Sequence, residues 1–391
     1  MAHKFSLTLM LLILVFVVGG VAASAQEGSA PGWQARVAQT VDVWQRQVID
    51  PYGTSPYTSL ALDAAGQPHV AYRGHDGAYR YSLKYAVFDG SAWQIMSVDN
   101  EMATGWYPAL ALDSRDEPHV AYHHAHDRLM YAHYYSGSWH NQTVDSGGDV
   151  GEHAALAVDS ADRPHIAYAD ETANSVKYAK RTGATWQVMT VAAMPAMEQS
   201  ITLDLALDAA DRPHICYYDD TVDQVKHAWY DGATWRLATV ASNVTSYNGQ
   251  GCSIAVDSDN HPHIVYSVLG LFYARHDGAQ WQLVEVDHDM LAGREPSLAL
   301  DLRNRPRIAY DVLDYPNYEL RYAAFDGFDW QIEAAHSTTQ GGAYPYGISL
   351  ALAVDGSPHV SYFMDVNGPP LHTWKTIPLE RWTFLPAVQR R

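Results

Sequence analysis

A short alternating pattern of hydrophobic and small residues recurs seven times along the chain. Its first copy, residues 59–63, reads SLALD, which places leucines on one face of a strand and alanine on the other. The equivalent segments begin at Ala109, Ala155, Asp204, Ser253, Ser297 and Ser349. Six copies end in Asp, and the seventh ends in Ala353. A period of roughly 50 residues that always opens with the same strand indicates a repeat fold.

Each copy continues with two more strand-like runs, and the first six copies have a further one. Five residues after the closing Asp, Pro-His introduces a β-rich run such as residues 68–72 (PHVAY), although the sixth copy has Arg307 in place of His. A third run follows, of which residues 83–86 (LKYA) are typical, and a G-x-x-W turn leads into a fourth, such as residues 93–99. Four short strands per period are typical of a propeller blade. We therefore predict an all-β, seven-bladed β-propeller of four-stranded antiparallel blades.

The turn between the first two strands has the same chemistry in every copy. The position two before each proline is occupied by Gly66, Asp116, Asp162, Asp211, Asn260, Asn304 and Gly356. These residue types tolerate the positive φ of a tight hairpin. The seven copies thus predict one and the same turn.

Closure of the ring requires a fourth strand for the seventh blade, which lacks the G-x-x-W turn. Residues 44–50 (WQRQVID) match residues 93–99 (WQIMSVD) and precede the first copy. We predict that this N-terminal strand joins the last blade; the alternative is residues 381–388, around Trp382. The predicted organisation is a signal peptide (1–25), an N-terminal extension (26–43), the propeller (44–376) and a C-terminal tail (377–391).

Parts of the repeat resemble known propeller families. Residues 253–260 (SIAVDSDN) resemble the opening of an NHL repeat, and residues 183–186 (GATW) resemble the end of the Asp-box (BNR) hairpin of sialidase-like propellers. An Asp box also has Asp two residues before its Gly, where this chain has Phe88, Arg181 and Tyr230. The resemblance implies the propeller fold. It does not imply sialidase activity, because the F/Y-R-I-P motif of sialidases is missing from the sequence.

The first 25 residues have the pattern of a secretory signal. Lys4 precedes an apolar run over residues 7–18, and Ala23-Ser24-Ala25 forms a small-residue cleavage site. We expect cleavage near Ala25 and a secreted, extracellular or cell-envelope location. No later segment reaches 18 consecutive apolar residues, so membrane insertion is not expected.

The chain is strongly acidic, with a formal net charge of −19 at pH 7. Loss of the leader removes one lysine and no acid, so the mature chain is more negative still. This charge disfavours nucleic acid as a partner. We expect the mature protein to be a monomer.

Two cysteines, Cys216 and Cys252, belong to successive copies of the repeat. Neighbouring blades would touch there, and an exported protein forms disulfides. A disulfide and two free buried thiols are the alternatives, and the sequence favours the free thiols.

Residues shared by all copies are expected to build the scaffold, and those that break the pattern are free to form a site. The Pro-His histidines recur in six of the seven copies, so we assign them a structural role. The repeated tryptophans are assigned to packing within and between blades.

Chain direction alternates along a blade, so the loops that join second to third strands share one face with the loops that lead into first strands. These loops are unequal, acidic and aromatic. The predicted ligand-binding residues among them are His75, Asp76, Trp106, Tyr107, His124, His126, Asp127, Asp170, Asp219, Asp311 and Tyr344. Further members of this rim are Tyr57, Arg73, His123, His153 and Tyr346.

The densest cluster in the rim is HHAHD, residues 123–127. His124, His126 and Asp127 are the candidate ligands for a divalent cation, and exposed loop histidines are the alternative. No other cofactor is expected. G-x-S-x-G, P-loop, GxGxxG and H-E-x-x-H motifs are missing from the sequence, and it assigns no catalytic residue.

Aromatic platforms with carboxylates suit carbohydrate, because sugars offer C–H faces for stacking and hydroxyls for hydrogen bonds. The sequence therefore favours an exported recognition propeller that binds a glycan or a surface protein. A glycoside hydrolase or polysaccharide lyase with its site at the channel mouth is the first alternative. A structural or protein-interaction module is the second.

Overall fold

The computed structural model describes residues 43–53, 57–75, 81–101, 104–124, 127–194, 202–244, 251–338, 344–365 and 368–377. The predicted site residues Asp76 and His126, the leader and the tail around Trp382 lie outside these residues. Regular structure in the described ranges is entirely β. None of the described residues belongs to a helix of the length and apolarity needed to cross a membrane.

Seven sheets of four antiparallel strands form the blades. The innermost strands are β2 (Thr58–Leu62), β6 (Trp106–Leu112), β10 (Ala155–Val158), β14 (Leu203–Leu207), β18 (Cys252–Val256), β22 (Ser297–Leu300) and β26 (Tyr346–Leu352). The second strands are β3 (Pro68–His75), β7 (Pro118–His124), β11 (Pro164–Asp170), β15 (Pro213–Asp219), β19 (Pro262–Ser267), β23 (Pro306–Asp314) and β27 (Pro358–Phe363).

The outer half of each blade completes the sheet. The third strands are β4 (Tyr81–Phe88), β8 (Arg128–Tyr135), β12 (Ser175–Thr182), β16 (Gln224–Tyr230), β20 (Leu271–His276), β24 (Asn317–Phe325) and β28 (Pro370–Trp374). The outermost strands are β5 (Trp93–Asp99), β9 (Ser138–Asp145), β13 (Thr185–Ala193), β17 (Trp235–Ser242), β21 (Trp281–Asp287), β25 (Trp330–Thr338) and β1 (Gln45–Val48). The predicted fold is confirmed.

The ring closes through the N-terminal strand. Strand β1 pairs with β28 in the seventh blade, from Gln45 opposite Trp374 to Val48 opposite Leu371. Inner strand β26 also contacts β2 of the first blade. The predicted closure by the N-terminal segment is confirmed.

The hairpins between first and second strands have the predicted backbone. All seven positions have φ between 58° and 81°. Where the residue carries a side chain, that side chain reaches the hairpin of the preceding blade: Asp162 Oδ1 accepts the Ser114 N–H at 2.9 Å, and Asp211 Oδ1 accepts the Ser160 N–H at 3.0 Å. One residue thus forms the turn and bonds two blades together.

The inner strands are sheet edges that face the channel, so their outward N–H groups need acceptors. Ser59 Oγ accepts the Leu110 N–H of the next blade at 2.9 Å, and Ser349 Oγ accepts the Leu60 N–H across the closure at 2.9 Å. In the fourth blade Asp204 takes this role and accepts the Ile254 N–H at 2.9 Å. The opening serine of the repeat therefore belongs to the scaffold.

Every blade boundary contains the same aromatic contact. The tryptophan of each outermost strand packs edge-on against a third-strand ring of the preceding blade, with ring centroids 5.1–5.6 Å apart. The pairs are Trp93–His372, Trp139–Tyr85, Trp186–Tyr131, Trp235–Tyr178, Trp281–His227, Trp330–Tyr273 and Trp44–Tyr322. The structural role predicted for the tryptophans is confirmed.

The same third-strand rings hold the Pro-His histidines. His165 Nδ1 hydrogen-bonds the Tyr178 hydroxyl at 2.6 Å, and its Nε2 faces the strand-closing Asp159 at 3.1 Å. In the fourth blade His227 replaces the tyrosine and lies 3.0 Å from His214. The histidines are structural, as predicted, and their partners are side chains of their own blade.

Cys216 of β15 and Cys252 of β18 form a disulfide between the fourth and fifth blades. The expectation of free thiols is therefore wrong. Both side chains lie at one buried blade boundary, where their Cα atoms are 6.3 Å apart and within disulfide reach. Strand register sets this distance, and residue spacing does not reveal it.

The buried histidines predict that stability falls on acidification. Burial lowers the pKa of His119, His165 and His214 to about 4 and that of His372 to about 3. In the unfolded chain these histidines bind protons once the pH falls below about 6.5, whereas in the folded protein they stay neutral until about pH 4. The stability of the fold is therefore unaffected above about pH 6.5 and decreases as the pH falls towards about 4. We expect a loss of roughly 1–2 kcal/mol per histidine at pH 5.

Urea unfolding at pH 7.5 and pH 5 measures this loss. The free energy of unfolding should change less between the two pH values in His165→Gln than in the wild type. In His288→Gln, at an 84% exposed side chain, it should change as much as in the wild type. Equal wild-type stability at both pH values would contradict the assignment.

Candidate ligand site at the channel mouth

Seven equivalent positions surround one mouth of the channel. Each lies six residues before the residue that closes the first strand of its repeat, and together they are Tyr57, Tyr107, His153, Thr202, Gly251, Glu295 and Gly347. They line a cavity of about 350 Å³. The ring of inner strands therefore brings seven equivalent positions to one place, five of which carry side chains beyond glycine, and we call this set the mouth ring.

Three neighbouring members of the mouth ring have aromatic rings that contact one another at interplanar angles of 45° and 40°, and we call this row of tilted rings the aromatic stack. The ring centroids of Tyr57 and Tyr107 are 4.3 Å apart, and those of Tyr107 and His153 are 4.1 Å apart. Tyr107 and His153 both have φ of 48°, which is uncommon for residues with a side chain and costs backbone energy. Burial lowers the pKa of His153 to about 4, so its ring is neutral at pH 7.

Glu295 lies in the mouth ring between two glycines. Its Oε2 accepts the Gly347 N–H at 2.6 Å. Burial raises the pKa of its carboxyl to about 7, although the neighbouring Arg294 opposes this shift. A carboxyl that is part protonated near neutrality is suited to proton transfer or to hydrogen bonding in either direction.

Arg294 connects Glu295 to a second pair of aromatic rings. Its guanidinium lies 5.2 Å from the ring centroid of Tyr344 and 4.7 Å from that of Tyr346. Its Nε is 3.8 Å from Asp311 Oδ2, too far for a hydrogen bond. Both its Nε and its Nη2 are buried, and no described residue forms a hydrogen bond with either atom. The cation–π contacts and the nearby carboxylate compensate for these missing bonds.

The predicted residues Tyr107, Asp311 and Tyr344 are brought to the mouth or directly behind it. Asp311 is fully buried, and its Oδ1 accepts the Glu295 N–H at 3.1 Å. Trp106 lies beside the mouth, but its ring covers the buried guanidinium of Arg73, 3.7 Å from the ring centroid.

Other predicted residues have partners in their own part of the scaffold. Asp170 pairs with Lys177 Nζ at 2.5 Å, Asp219 accepts the Thr221 hydroxyl at 2.5 Å, and His124 Nε2 lies 3.1 Å from Glu101 Oε2. His75 packs against Tyr81, with centroids 5.9 Å apart. These contacts form within a blade and its adjoining loops.

Glu295 and Arg294 are absent from the predicted site residues. They precede the first strand of the sixth copy, where Glu295 has the register position of Tyr107 in the second copy and Arg294 that of Trp106. A comparison of the seven copies at that single position identifies Glu295 as the acidic member of the mouth ring.

A larger cavity of about 500 Å³ lies on the opposite face, between the sixth and seventh blades. Arg307, which replaces the repeated histidine, lines it and pairs with Asp301 at 2.8 Å. Lys375 pairs with Glu333 at 2.7 Å in the same wall. Opposite charges neutralise each other there, so this cavity is a weaker candidate than the mouth.

Comparisons with known proteins show similarity in fold but not in sequence. No protein-family model matches the chain, and no curated protein matches its sequence. A polysaccharide lyase of family PL25, an ulvan lyase solved with bound -[GlcA(1-4)Rha3S]-, aligns with a TM-score of 0.62 at 11% identity, over 84% of this chain and 95% of its own. AofleA from Arthrobotrys oligospora aligns with a TM-score of 0.52 at 12% identity, over 76% of this chain and 91% of its own.

The carboxyl of Glu295 predicts a second pH effect, opposite in sign to that of the histidines. A raised pKa means that the folded state loses stability as pH rises from 4.5 to 7. Glu295→Gln stays neutral, so it should raise the free energy of unfolding at pH 8 relative to the wild type, by roughly 1–2 kcal/mol after solvent screening of a 28% exposed side chain.

The measurement is urea unfolding of both proteins at pH 5 and pH 8. Asp329→Asn, at an exposed side chain in the turn between β24 and β25, is the control and should leave the difference in unfolding free energy between the two pH values unchanged. A Glu295→Gln protein that is equally destabilised at both pH values would contradict the assignment.

Proposed function

We propose that the protein binds carbohydrate at the mouth ring. The aromatic stack of Tyr57, Tyr107 and His153 carries this proposal, because its rings line a cavity together with a carboxyl that accepts or donates hydrogen bonds. Sugars offer C–H faces to such rings and hydroxyls to such a carboxyl. The cavity is large enough for about one or two sugar units, because ligand sites of 300–1,000 Å³ hold drug-sized molecules.

The propeller architecture is compatible with this proposal. The ulvan lyase with the bound saccharide shares the fold of this chain at 11% identity. Residues cannot be transferred at that identity, so the proposal depends on the mouth ring of this chain. The net negative charge of the protein favours a neutral saccharide over a polyanionic one.

A glycan-active enzyme is the second candidate, and Glu295 is the observation that favours it. A carboxyl with a pKa of about 7 inside the mouth is suited to act as a general acid or base. In that case the site would release product from a bound saccharide. Assays of a polysaccharide panel for new reducing ends and new double bonds distinguish the two candidates, and Glu295→Gln should abolish any product release.

Binding to the aromatic stack is tested with Tyr107→Ala. A glycan array identifies the ligand, and calorimetry then gives its affinity for each variant. Loss of the middle ring should weaken binding about tenfold or more, and Tyr107→Phe should retain binding because it keeps the stacking face.

The matched control is Tyr135→Ala, which removes a 40% exposed tyrosine at the turn between β8 and β9. It should bind the glycan as the wild type does. Wild-type affinity in Tyr107→Ala, with unchanged thermal unfolding, would refute the mouth ring as the binding site.

We further propose that the protein is exported after cleavage near Ala25. The disulfide between Cys216 and Cys252 supports an oxidising compartment, where such bonds persist. Expression of the full chain in a bacterium should yield a mature protein that begins at Gln26 by mass spectrometry and has no titratable thiol before reduction. An intact N terminus or two reactive thiols in the native protein would contradict this proposal.

A further inference from the structure

Three potential metal ligands meet at the boundary between the second and third blades, beside the mouth ring. His123 lies near the end of β7, Asp127 in the turn that follows, and Asp149 in the loop that leads from β9 to β10. One ligand atom from each lies within 4.8 Å of the other two. The distance from His123 Nε2 to Asp149 Oδ1 is 3.9 Å.

His123 supplies the observation that points to a bound ion. Its side chain is only 8% exposed, and its Nε2 is buried without a hydrogen-bond partner among the residues that the structure describes. A buried polar atom without a partner costs free energy, and polar atoms in this position are rare in native proteins. The atom faces the two carboxylates, so an ion between them would satisfy all three side chains.

The backbone holds the three groups from both sides of the blade boundary. His123 is opposite Trp106 on one side and Leu129 on the other in the second blade. The Asp149 N–H donates to Thr172 Oγ1 at 2.8 Å, and its carbonyl accepts the Glu171 N–H at 2.9 Å, which anchors it to the third blade. His123 is therefore fixed by the sheet of the second blade, and the loop that carries Asp149 is anchored to the third blade.

One imidazole and two carboxylates are the donor set of a first-row transition ion. Zn²⁺ uses three such protein ligands in sites that keep a fourth position open, whereas Ca²⁺ takes six to eight oxygen ligands. Ligand atoms around tetrahedral Zn²⁺ lie about 3.4 Å apart, as bonds of about 2.1 Å require. The gap between His123 and Asp149 would have to close by about 0.5 Å.

Two other groups of acids and histidines in the described residues have a structural explanation. His119 lies with Asp113 and His133. Its Nε2 is also buried without a hydrogen-bond partner in the described ranges, but its Nδ1 bonds the Tyr131 hydroxyl at 2.5 Å in the interaction that most blades repeat. The other group contains Asp257, whose Oδ1 accepts backbone N–H groups of its own hairpin, as in other blades. Within the described part of the chain, neither ring nitrogen of His123 has such a scaffold hydrogen bond.

We propose that His123, Asp127 and Asp149 bind a divalent transition-metal ion, for which Zn²⁺ is the matching probe. The sequence points instead to His124 and His126, but His124 is engaged with Glu101. The proposal does not depend on carbohydrate binding. A fourth coordination position would be left for water or a ligand oxygen at the edge of the mouth.

The test is calorimetric titration of chelator-treated full-length mature protein with ZnCl₂, followed by Co²⁺ absorption spectroscopy. The wild type should bind one tight equivalent of Zn²⁺ and give the visible bands of four-coordinate Co²⁺. His123→Gln and Asp149→Asn should each weaken Zn²⁺ binding at least tenfold and remove these bands. Asp149→Asn changes a 40% exposed side chain, so it should fold even if His123→Gln does not.

His140→Gln and His288→Gln are the controls for non-specific binding by other histidines, and they should bind Zn²⁺ as the wild type does. Wild-type Zn²⁺ affinity and Co²⁺ bands in a folded Asp149→Asn protein would overturn the proposal. So would the absence of a tight equivalent in the wild type.

Discussion

The edge-on contact between a tryptophan and a third-strand ring of the preceding blade is the interaction on which the ring depends. The ring that receives the tryptophan also bonds the buried Pro-His histidine in most blades, and that histidine faces the carboxylate that closes the first strand. The tryptophan of one blade is thus linked, through a single aromatic ring, to the buried histidine and carboxylate of the preceding blade. Trp44 and Trp93 make it on the two sides of the closing blade, so the seventh blade is held like the others.

The position of the mouth ring depends on the fixed arrangement of the blades. Because hairpins, serines and tryptophans fix the inner strands in equivalent positions, the residue six positions before the end of each opening segment reaches the mouth whatever its identity. Three consecutive blades place aromatic rings there, and the sixth places Glu295. Chemistry can therefore vary at the mouth ring without loss of the scaffold, which is the usual relation between binding loops and a rigid fold.

The fold was predictable because its signals are local. The conformation of the turn residue two before each proline depends only on its own backbone preference. A match between two seven-residue segments was enough to locate the closing strand. The site was less predictable because it depends on partners. In the sequence, Asp170 looks like any aspartate that could bind a ligand. Only the folded sheet shows that Lys177 lies beside it and forms an ion pair with it. His123 and His124 are adjacent, but strand pleating gives them different surroundings, which the sequence alone does not distinguish.

Closure by β1 also constrains the order of events when the protein is made. The Gln45 carbonyl accepts a hydrogen bond from the Thr373 hydroxyl, 328 residues later. The first strand to be synthesised therefore waits, with unpaired edges, until the last strand of the ring has emerged. Contacts of such long sequence separation fold slowly and expose chains to aggregation. Correct folding would require that β1 does not pair with other strands before synthesis ends. A route that exports chains in the unfolded state would meet this requirement.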